Sequence, residues 1–293
     1  MGELKYANPY LIAEVGCNHK GDMSIAREFI KVAATYCGVD AVKFQKRNNR
    51  ELLTPEQYDA PHPNPNNSYG ETYGAHREFL EFTAQSHAQL KKWCEEFGVA
   101  YSASVWDLTS AKEIAALNPA FIKIPSACNN HYRMLGWLCE NYAGEVQISL
   151  GMTTKDEERK LVDFFVERGR NEDLVIFSCT SGYPVPYQDI CLLEIRQLTE
   201  SYAGKIKAVG FSGHHHGIAA DIAALTLGAN VFERHFTLDK TWKGTDHAAS
   251  LEPREMKALK ADLDNVRQAL TYKSSDVLPI EVVQREKLKY REG

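Results

Sequence analysis

Residues that can bind anions, ligate metals or move protons recur in this sequence at one kind of position, the far end of a short apolar run. In chain order they are Glu14, with Asn18 and His19 just beyond it; Lys43 and Gln45; Ser102 and Ser104; Lys123 and Ser126; Ser149; Thr180, Ser181 and Tyr183; Ser212 and His214; and His235. Lys43 and Lys123 each stand between apolar neighbours, in VKF and IKI. An ammonium is costly to desolvate, so a lysine in such a run either threads its head out to water or meets an anion. The repeated pattern favours the second reading. Both cations would face a phosphate or carboxylate, and the hydroxyls of Ser104, Ser126, Ser149 and Ser212 would donate to the same group.

Histidines concentrate in GFSGHHHGIAAD and ERHFTLD. Imidazole suits transition metals better than it suits magnesium or calcium. His214 and His235 end consecutive runs and are read as a metal pair with positions left open for Lewis-acid work. His215 and His216 are read as solvated loop residues. The segment after the last run, TLDKTWKGTDHAASLEP, carries Asp246, which can receive sugar hydroxyls. Its Lys240 and Lys243 serve either a second anion or the surface.

The apolar runs that carry these residues read as strands at Tyr10–Cys17, Ala41–Gln45, Val99–Ser104, Phe121–Ser126, Glu145–Gly151, Leu174–Thr180, Ala208–Gly213 and Val231–Leu238. Helical patterns alternate with them, among them MSIAREFIKVAATYCG, HAQLKKWCEEFG and GIAADIAALTLGAN. The first two of these close on glycine, the usual helix stop. Continuous apolar strands joined by helical crossovers imply a parallel sheet buried on both faces. Eight such units within 293 residues imply an α/β fold of the closed (β/α)8 barrel type, whose site lies on the C-terminal rim. An open doubly wound sheet is the alternative, but no G-x-G-x-x-G follows the first strand. Residues 1–275 are assigned to the barrel and 276–293 to a surface tail or linker. One connection, Asn48–Ala75, is long, polar and rich in Pro and Asn, as functional or disordered loops are.

Composition sets the broad class. With 44% hydrophobic and 25% charged residues the chain is an ordinary globular protein, and its net charge of −5 gives no reason to expect nucleic acid or an anionic membrane as partner. No apolar run approaches the ~18–20 residues that span a bilayer. The N-terminus lacks the order of a secretory signal, and Tyr6 stands where a myristoylated Gly2 would want Ser or Thr. Seven scattered cysteines with no C-x-x-C suggest neither a disulfide framework nor a zinc–thiolate site, so a cytoplasmic location is expected.

Taken together, IAEVGCNHKGD, VKFQKR, YGETYGAHREFLEF, YSASVWD, KIPS, SLGM, CTSGYPVP, GFSGHHHGI, ERHFTLDKTWKGTDHAASLEP and LPIEVVQREKL resemble the sialic acid synthase family. The resemblance runs from about Pro9 to Lys289 and is most specific over Glu233–Pro253, where it is similar to the animal-type enzymes that take a 6-phosphorylated sugar. It implies a TIM barrel. The implied reaction joins phosphoenolpyruvate to N-acetylmannosamine or its 6-phosphate, giving a nine-carbon 3-deoxy keto acid and phosphate. By the same resemblance Lys43, Ser104, Lys123, Ser126, Ser149 and Ser212 hold phosphoenolpyruvate, and His214 and His235 hold a divalent metal, Mn2+ or Mg2+. Glu14, Gln45, Tyr183 and Asp246 match positions around the sugar, and Ser181 and Lys243 on the rim are assigned to the sugar beside them. Glu14 is the candidate base, acting with Lys123 and His235. The resemblance further implies a homodimer.

Two departures from the family pattern stand out. KIPSACNN carries Cys128 where family members have a carboxylate ahead of paired asparagines. The small antifreeze-like domain that follows the barrel in family members is not matched, as in a barrel-only member or a truncated chain. Two alternatives remain, a synthase for another ulosonic acid and a non-catalytic sugar-phosphate sensor.

Overall fold

The structure, a computed structural model, describes Tyr6 and residues 8–290; Gly2 and the last residues of the expected tail, 291–293, lie outside the described residues. Eight parallel strands close on themselves in sequence order: β1 (Tyr10–Gly16), β2 (Ala41–Lys46), β3 (Ala100–Val105), β4 (Phe121–Ile124), β5 (Glu145–Ser149), β6 (Leu174–Cys179), β7 (Ala208–Gly213) and β8 (Val231–His235). The expected (β/α)8 barrel is therefore present. Six of the predicted runs contain their strand, while β2 and β3 run one residue further, to Lys46 and Val105; the ends assigned to the runs at Ser126, Gly151, Thr180 and Leu238 lie beyond the strands.

The main crossover helices are α1 (Met23–Val32), α5 (Ala84–Glu96), α6 (Leu108–Ala115), α7 (Tyr132–Asn141), α8 (Lys155–Val166), α9 (Leu193–Ser201), α10 (Ala219–Thr226) and α11 (Pro253–Ala269). Their limits are local. Asp22 accepts from the amides of Ser24 and Ile25 to start α1. Gly38 and Gly98 adopt φ of 71° and 72° just beyond the first and second predicted helical patterns.

Alternation along the strands sorts side chains into two layers. Residues pointing outward, such as Leu11, Val42, Ile122, Ile176 and Phe232, join the apolar layer beneath the helices. Residues pointing inward form a small apolar plug from Ile12, Ala41, Phe121, Val175, Phe177 and Val231. Two residues further along the same strands the interior turns polar, and that change of character is the start of the site.

The segment predicted as a long functional or disordered loop is ordered. It folds into α2 (Asn49–Leu52), α3 (Pro55–Asp59) and the start of α4 (Tyr73–Leu80). Thr54 and Gln57 cap α3 reciprocally, and the Asn48 amide donates to Asp107 Oδ2 at 2.7 Å. Likewise the expected C-terminal tail contains an exposed helix, α12 (Pro279–Leu288), with no buried residue.

The loop between β8 and α11 returns to its own root. The Leu251 amide donates to the His235 carbonyl at 2.8 Å, and the Thr237 amide to the Leu251 carbonyl at 2.9 Å. Next to this latch the Phe236 amide donates to the Glu14 carbonyl at 2.8 Å.

Candidate active site

Strand register brings the predicted residues together. Glu14 is paired with Lys43 on one side and His235 on the other; Ser104 is paired with Lys123, and Ser212 with Glu233. All of these but His235 are among the buried polar groups. Lys43 donates to Ser104 Oγ at 2.6 Å and forms a close ion pair with Glu14. Lys123 donates to Glu233 Oε2 at 2.9 Å, with its ammonium 3.4 Å from the centre of the Phe177 ring. Glu233 Oε2 is also 3.6 Å from Lys43 Nζ, and Glu233 Oε1 accepts from Ser212 at 3.0 Å.

Glu233 was not among the predicted residues, yet it is the hub of the cluster. The available signal was parity: it lies two residues before His235 in one strand, so both face inward. The two carboxylates are driven apart. Burial raises the pKa of Glu14, and although Lys43 opposes that, a second carboxylate nearby assists it. Burial would raise Glu233 as well, but Lys123 and Lys43 outweigh it and hold the group below the ordinary carboxylate range. Burial lowers the pKa of Lys123, with Glu233 opposing. Paired titratable groups split in this way suit one to carry a proton and the other to remain a fixed charge.

Around the mouth, Gln45 donates to Glu14 Oε1 at 3.0 Å. Ser126 Oγ accepts from the Gly151 amide at 3.0 Å. A Cβ on Gly151 would fall 2.6 Å from Ser126 Oγ and 2.3 Å from Ser181 Oγ, so glycine keeps a cradle open between the two hydroxyls. Ser149 is buried at the end of β5. A cavity of about 480 Å³ opens beside this edge, lined among others by Cys179, Ser181, Thr153 and Lys155.

His214 and His235 stand with ring centres 5.5 Å apart, and Tyr183 sets its ring edge-on to both, at 4.5 and 6.1 Å. Burial, then the neighbouring His235, lowers the His214 pKa to about 3, so its imidazole is neutral and able to ligate. His214 Nδ1 lies 3.3 Å from the Thr180 carbonyl. His235 Nδ1 is buried without a hydrogen-bond partner, and Asp246 Oδ2 is 4.0 Å from it. Among the described residues no three His, Cys, Asp or Glu side chains gather as a metal site. The pair nonetheless fits a divalent ion that takes its remaining ligands from water or substrate, since the unpartnered buried nitrogen of His235 beside the neutral imidazole of His214 is what such an ion needs.

Other predicted residues have different surroundings. His215, read as solvated, is buried: its Nε2 is 3.2 Å from both Arg234 Nη1 and Asp221 Oδ2, in an ion-paired cluster between β8 and α10. His216 is exposed as expected. Lys240 is drawn away to Glu255 at 2.6 Å, which removes it from a second anion site, whereas Lys243 stays on the rim beside Tyr69. Asn18 donates to the Phe236 carbonyl at 2.9 Å and His19 stacks on Phe82 at 4.0 Å, so both brace the rim. Cys128 is a buried thiol whose pKa burial pushes up to about 11.

Residues 29–275 match the NeuB family. The chain belongs to the NeuB family. It is 36% identical over 279 residues to the N-acetylneuraminate-9-phosphate synthase of Homo sapiens, covering 95% of this chain and 76% of that one. With the enzyme of the same name from Drosophila melanogaster it shares 38% identity over 258 residues, 88% of this chain and 68% of the other. The N,N'-diacetyllegionaminic acid synthase of Campylobacter jejuni is 30% identical over 261 residues, 89% and 77% of the two chains. The crystal structure of an N-acetylneuraminic acid synthetase from Leptospira borgpetersenii superposes with a TM-score of 0.80 at 24% identity, covering 97% of this chain and 93% of that one, and shows the shared fold. As a NeuB-family barrel the chain is an enzyme, and its named relatives are synthases.

Proposed function

We propose that this NeuB-family enzyme condenses phosphoenolpyruvate with an aldehyde sugar of the N-acetylmannosamine or mannose type, releasing inorganic phosphate and a nine-carbon 3-deoxy keto acid. The observation that carries the reading is the pair of buried lysines, Lys43 and Lys123, sharing Glu233 beside the two facing histidines. The names of the human and fly relatives support the choice of sugar.

In this reading the phosphate and carboxylate of phosphoenolpyruvate lie against Lys43, Lys123 and the hydroxyls of Ser104, Ser126, Ser149 and Ser212. Burial raises the pKa of Glu14 and so weakens the second of the two negative charges facing the lysines in this water-poor site, which favours an incoming anion. Gln45, Ser181, Tyr183, Lys243 and Asp246 orient the sugar. A divalent cation, manganese or magnesium, held by His214 and His235 would polarise the sugar aldehyde.

A bond forms between C3 of phosphoenolpyruvate and the aldehyde carbon, whose oxygen takes a proton from Glu14. Water adds to the cationic C2 and loses its proton to Glu14, whose raised pKa suits it to accept and return one. Breaking the bond between C2 and the phosphate-bearing oxygen then releases inorganic phosphate, which takes up the proton of the C2 hydroxyl as that oxygen becomes the keto group. Lys123 stabilises the departing phosphate while Glu233 holds the ammonium in place. The choice of ion, a homodimeric state and a cytoplasmic location belong to the same proposal. Among the described residues no helix is long and apolar enough to cross a membrane.

A second acceptor within the class is favoured by one observation, the neutral Cys128 thiol where the family pattern has a carboxylate. Phosphate release with phosphoenolpyruvate and Mn2+ should require N-acetylmannosamine or its 6-phosphate, and His235→Ala should abolish it in a folded protein. Release only with mannose 6-phosphate or arabinose 5-phosphate would reassign the sugar. No release with any of the four would overturn the proposal.

A further inference from the structure

Next to the lysine cluster, on the β2 side of the mouth, lies a second concentration of cations with no assigned role. Arg47, just past the end of β2, and Arg77, on α4, both lie against the ring of Trp106, with guanidinium carbons 4.5 and 5.8 Å from its centre. Arg77 also covers the Tyr73 ring at 4.9 Å, and Lys243 stands 5.0 Å from the Tyr69 ring across the rim. Like charges held this close repel each other unless an anion lies between them. Among the described residues no carboxylate lies within ion-pair distance of either arginine, although Glu81 and Asp246 are near enough to favour the charge of Arg47. The nearby Glu81 is engaged by Lys46 at 3.0 Å and by the Arg47 amide at 2.9 Å.

Hydrogen-bonding capacity is left over in the same place. Arg47 Nε and Trp106 Nε1 are buried without partners, as are both side-chain amide atoms of Asn49, two residues beyond Arg47. Buried donors are rarely left unmade, because each costs about 1–3 kcal/mol, so several together mark a place where a ligand completes them. The burial of Arg77 beside Arg47 lowers its pKa, a cost that an anion would reverse.

The location specifies which anion. Arg47 donates to Gln45 Oε1 and, at 3.4 Å, to Cys17 Sγ. Gln45 in turn donates to Glu14 at 3.0 Å, so Arg47 is one side chain away from the reacting centre, on the side opposite the Ser126–Gly151–Ser181 cradle, with Arg77 beside it on Trp106. Phosphoenolpyruvate already has Lys43 and Lys123. We infer that Arg47 and Arg77, assisted by Lys243, form a second anion subsite that takes the phosphate monoester of the acceptor sugar. The inference rests on the condensation proposed above and makes a phosphorylated aldose the acceptor. A planar guanidinium fork matches phosphate oxygens two at a time, which a lysine at these positions would not do.

Steady-state kinetics with saturating phosphoenolpyruvate and Mn2+ test this, comparing N-acetylmannosamine with its 6-phosphate. Isothermal titration of the 6-phosphate in the absence of phosphoenolpyruvate accompanies them. Wild-type enzyme should prefer the 6-phosphate. Arg77→Gln should raise KM for the phosphorylated sugar about thirtyfold, leaving KM for phosphoenolpyruvate and kcat/KM for the unphosphorylated sugar unchanged. Lys243→Gln, at an exposed position, should raise the same KM several-fold, and Arg77→Lys should restore only part of the loss.

Equal losses on both sugars, a rise in KM for phosphoenolpyruvate, or no effect on either would overturn the subsite while leaving the condensation standing. Binding of the 6-phosphate that is lost in Arg77→Gln, without turnover of any sugar, would uphold the subsite and overturn the condensation. Absence of both binding and turnover would overturn both.

Discussion

Glu233→Gln keeps the shape of the side chain and removes the one charge shared by Lys123 and Lys43. With Glu233 Oε2 2.9 Å from one ammonium and 3.6 Å from the other, the attractions at an effective dielectric near 20 are roughly 6 and 5 kcal/mol before desolvation. Lys123 can shed part of the cost by releasing its proton, which burial already favours. The net loss should then be that of breaking a buried pair, about 3–5 kcal/mol.

Urea unfolding at pH 7.5 gives the number directly. The double variant Glu233→Gln/Lys123→Met should recover much of the loss, because neither partner is left stranded. Inorganic phosphate should stabilise Glu233→Gln more than wild type, since Lys123 then lacks its internal counter-charge. At one hundred times its Kd a ligand adds about 2.7 kcal/mol. A Glu233→Gln protein within about 0.5 kcal/mol of wild type would refute the picture of an ionised carboxylate between two charged lysines.

Two further predictions follow from local geometry. Gly151→Ala inserts a methyl group against the Ser126 and Ser181 hydroxyls; it should raise KM for phosphoenolpyruvate about tenfold and cost about 1–3 kcal/mol of stability, read from kinetics and a urea melt. Burial lowers the pKa values of His19 and His87 to about 3, so the unfolded chain takes up protons first. The stability they confer is complete above about pH 6.5 and is lost as pH falls towards 3; at pH 5 the loss is about 2 kcal/mol for each. His87→Gln should therefore flatten the decline in unfolding free energy between pH 7.5 and 5, and an unchanged slope would contradict it.

The barrel was legible because its strands are buried on both faces and stand out as apolar runs between amphipathic helices. The polar rim was legible for a related reason, since Lys43 and Lys123 are conspicuous inside such runs. Glu233 was not, because in VFERHF it sits beside Arg234, and adjacent opposite charges look like a solvated pair. Strand alternation separates them. Glu233 faces the interior lysines, while Arg234 faces outward to Asp221 and His215. His215 was misread for a similar reason, as three consecutive histidines have no period that assigns a face. Arg47 stood in a recognisable motif, but its role depends on Arg77 and Trp106, 30 and 59 residues later in the chain, a proximity that no local pattern encodes.

The latch at the root of the β8–α11 loop separates two kinds of evolutionary change. Because Leu251 bonds back to His235 and Thr237 to Leu251, the intervening residues form a ring closed at its root on the strand. Asp246 and Lys243 lie inside that ring, and the Lys243 carbonyl accepts from Tyr69 of the α3–α4 segment. A lineage can therefore rewrite the ring and the segment facing it as a matched pair, adopting a different acceptor, while His235, Glu233 and the lysines below keep their positions. Grafting both stretches together from a relative should transfer acceptor preference, whereas grafting either alone breaks their shared contact.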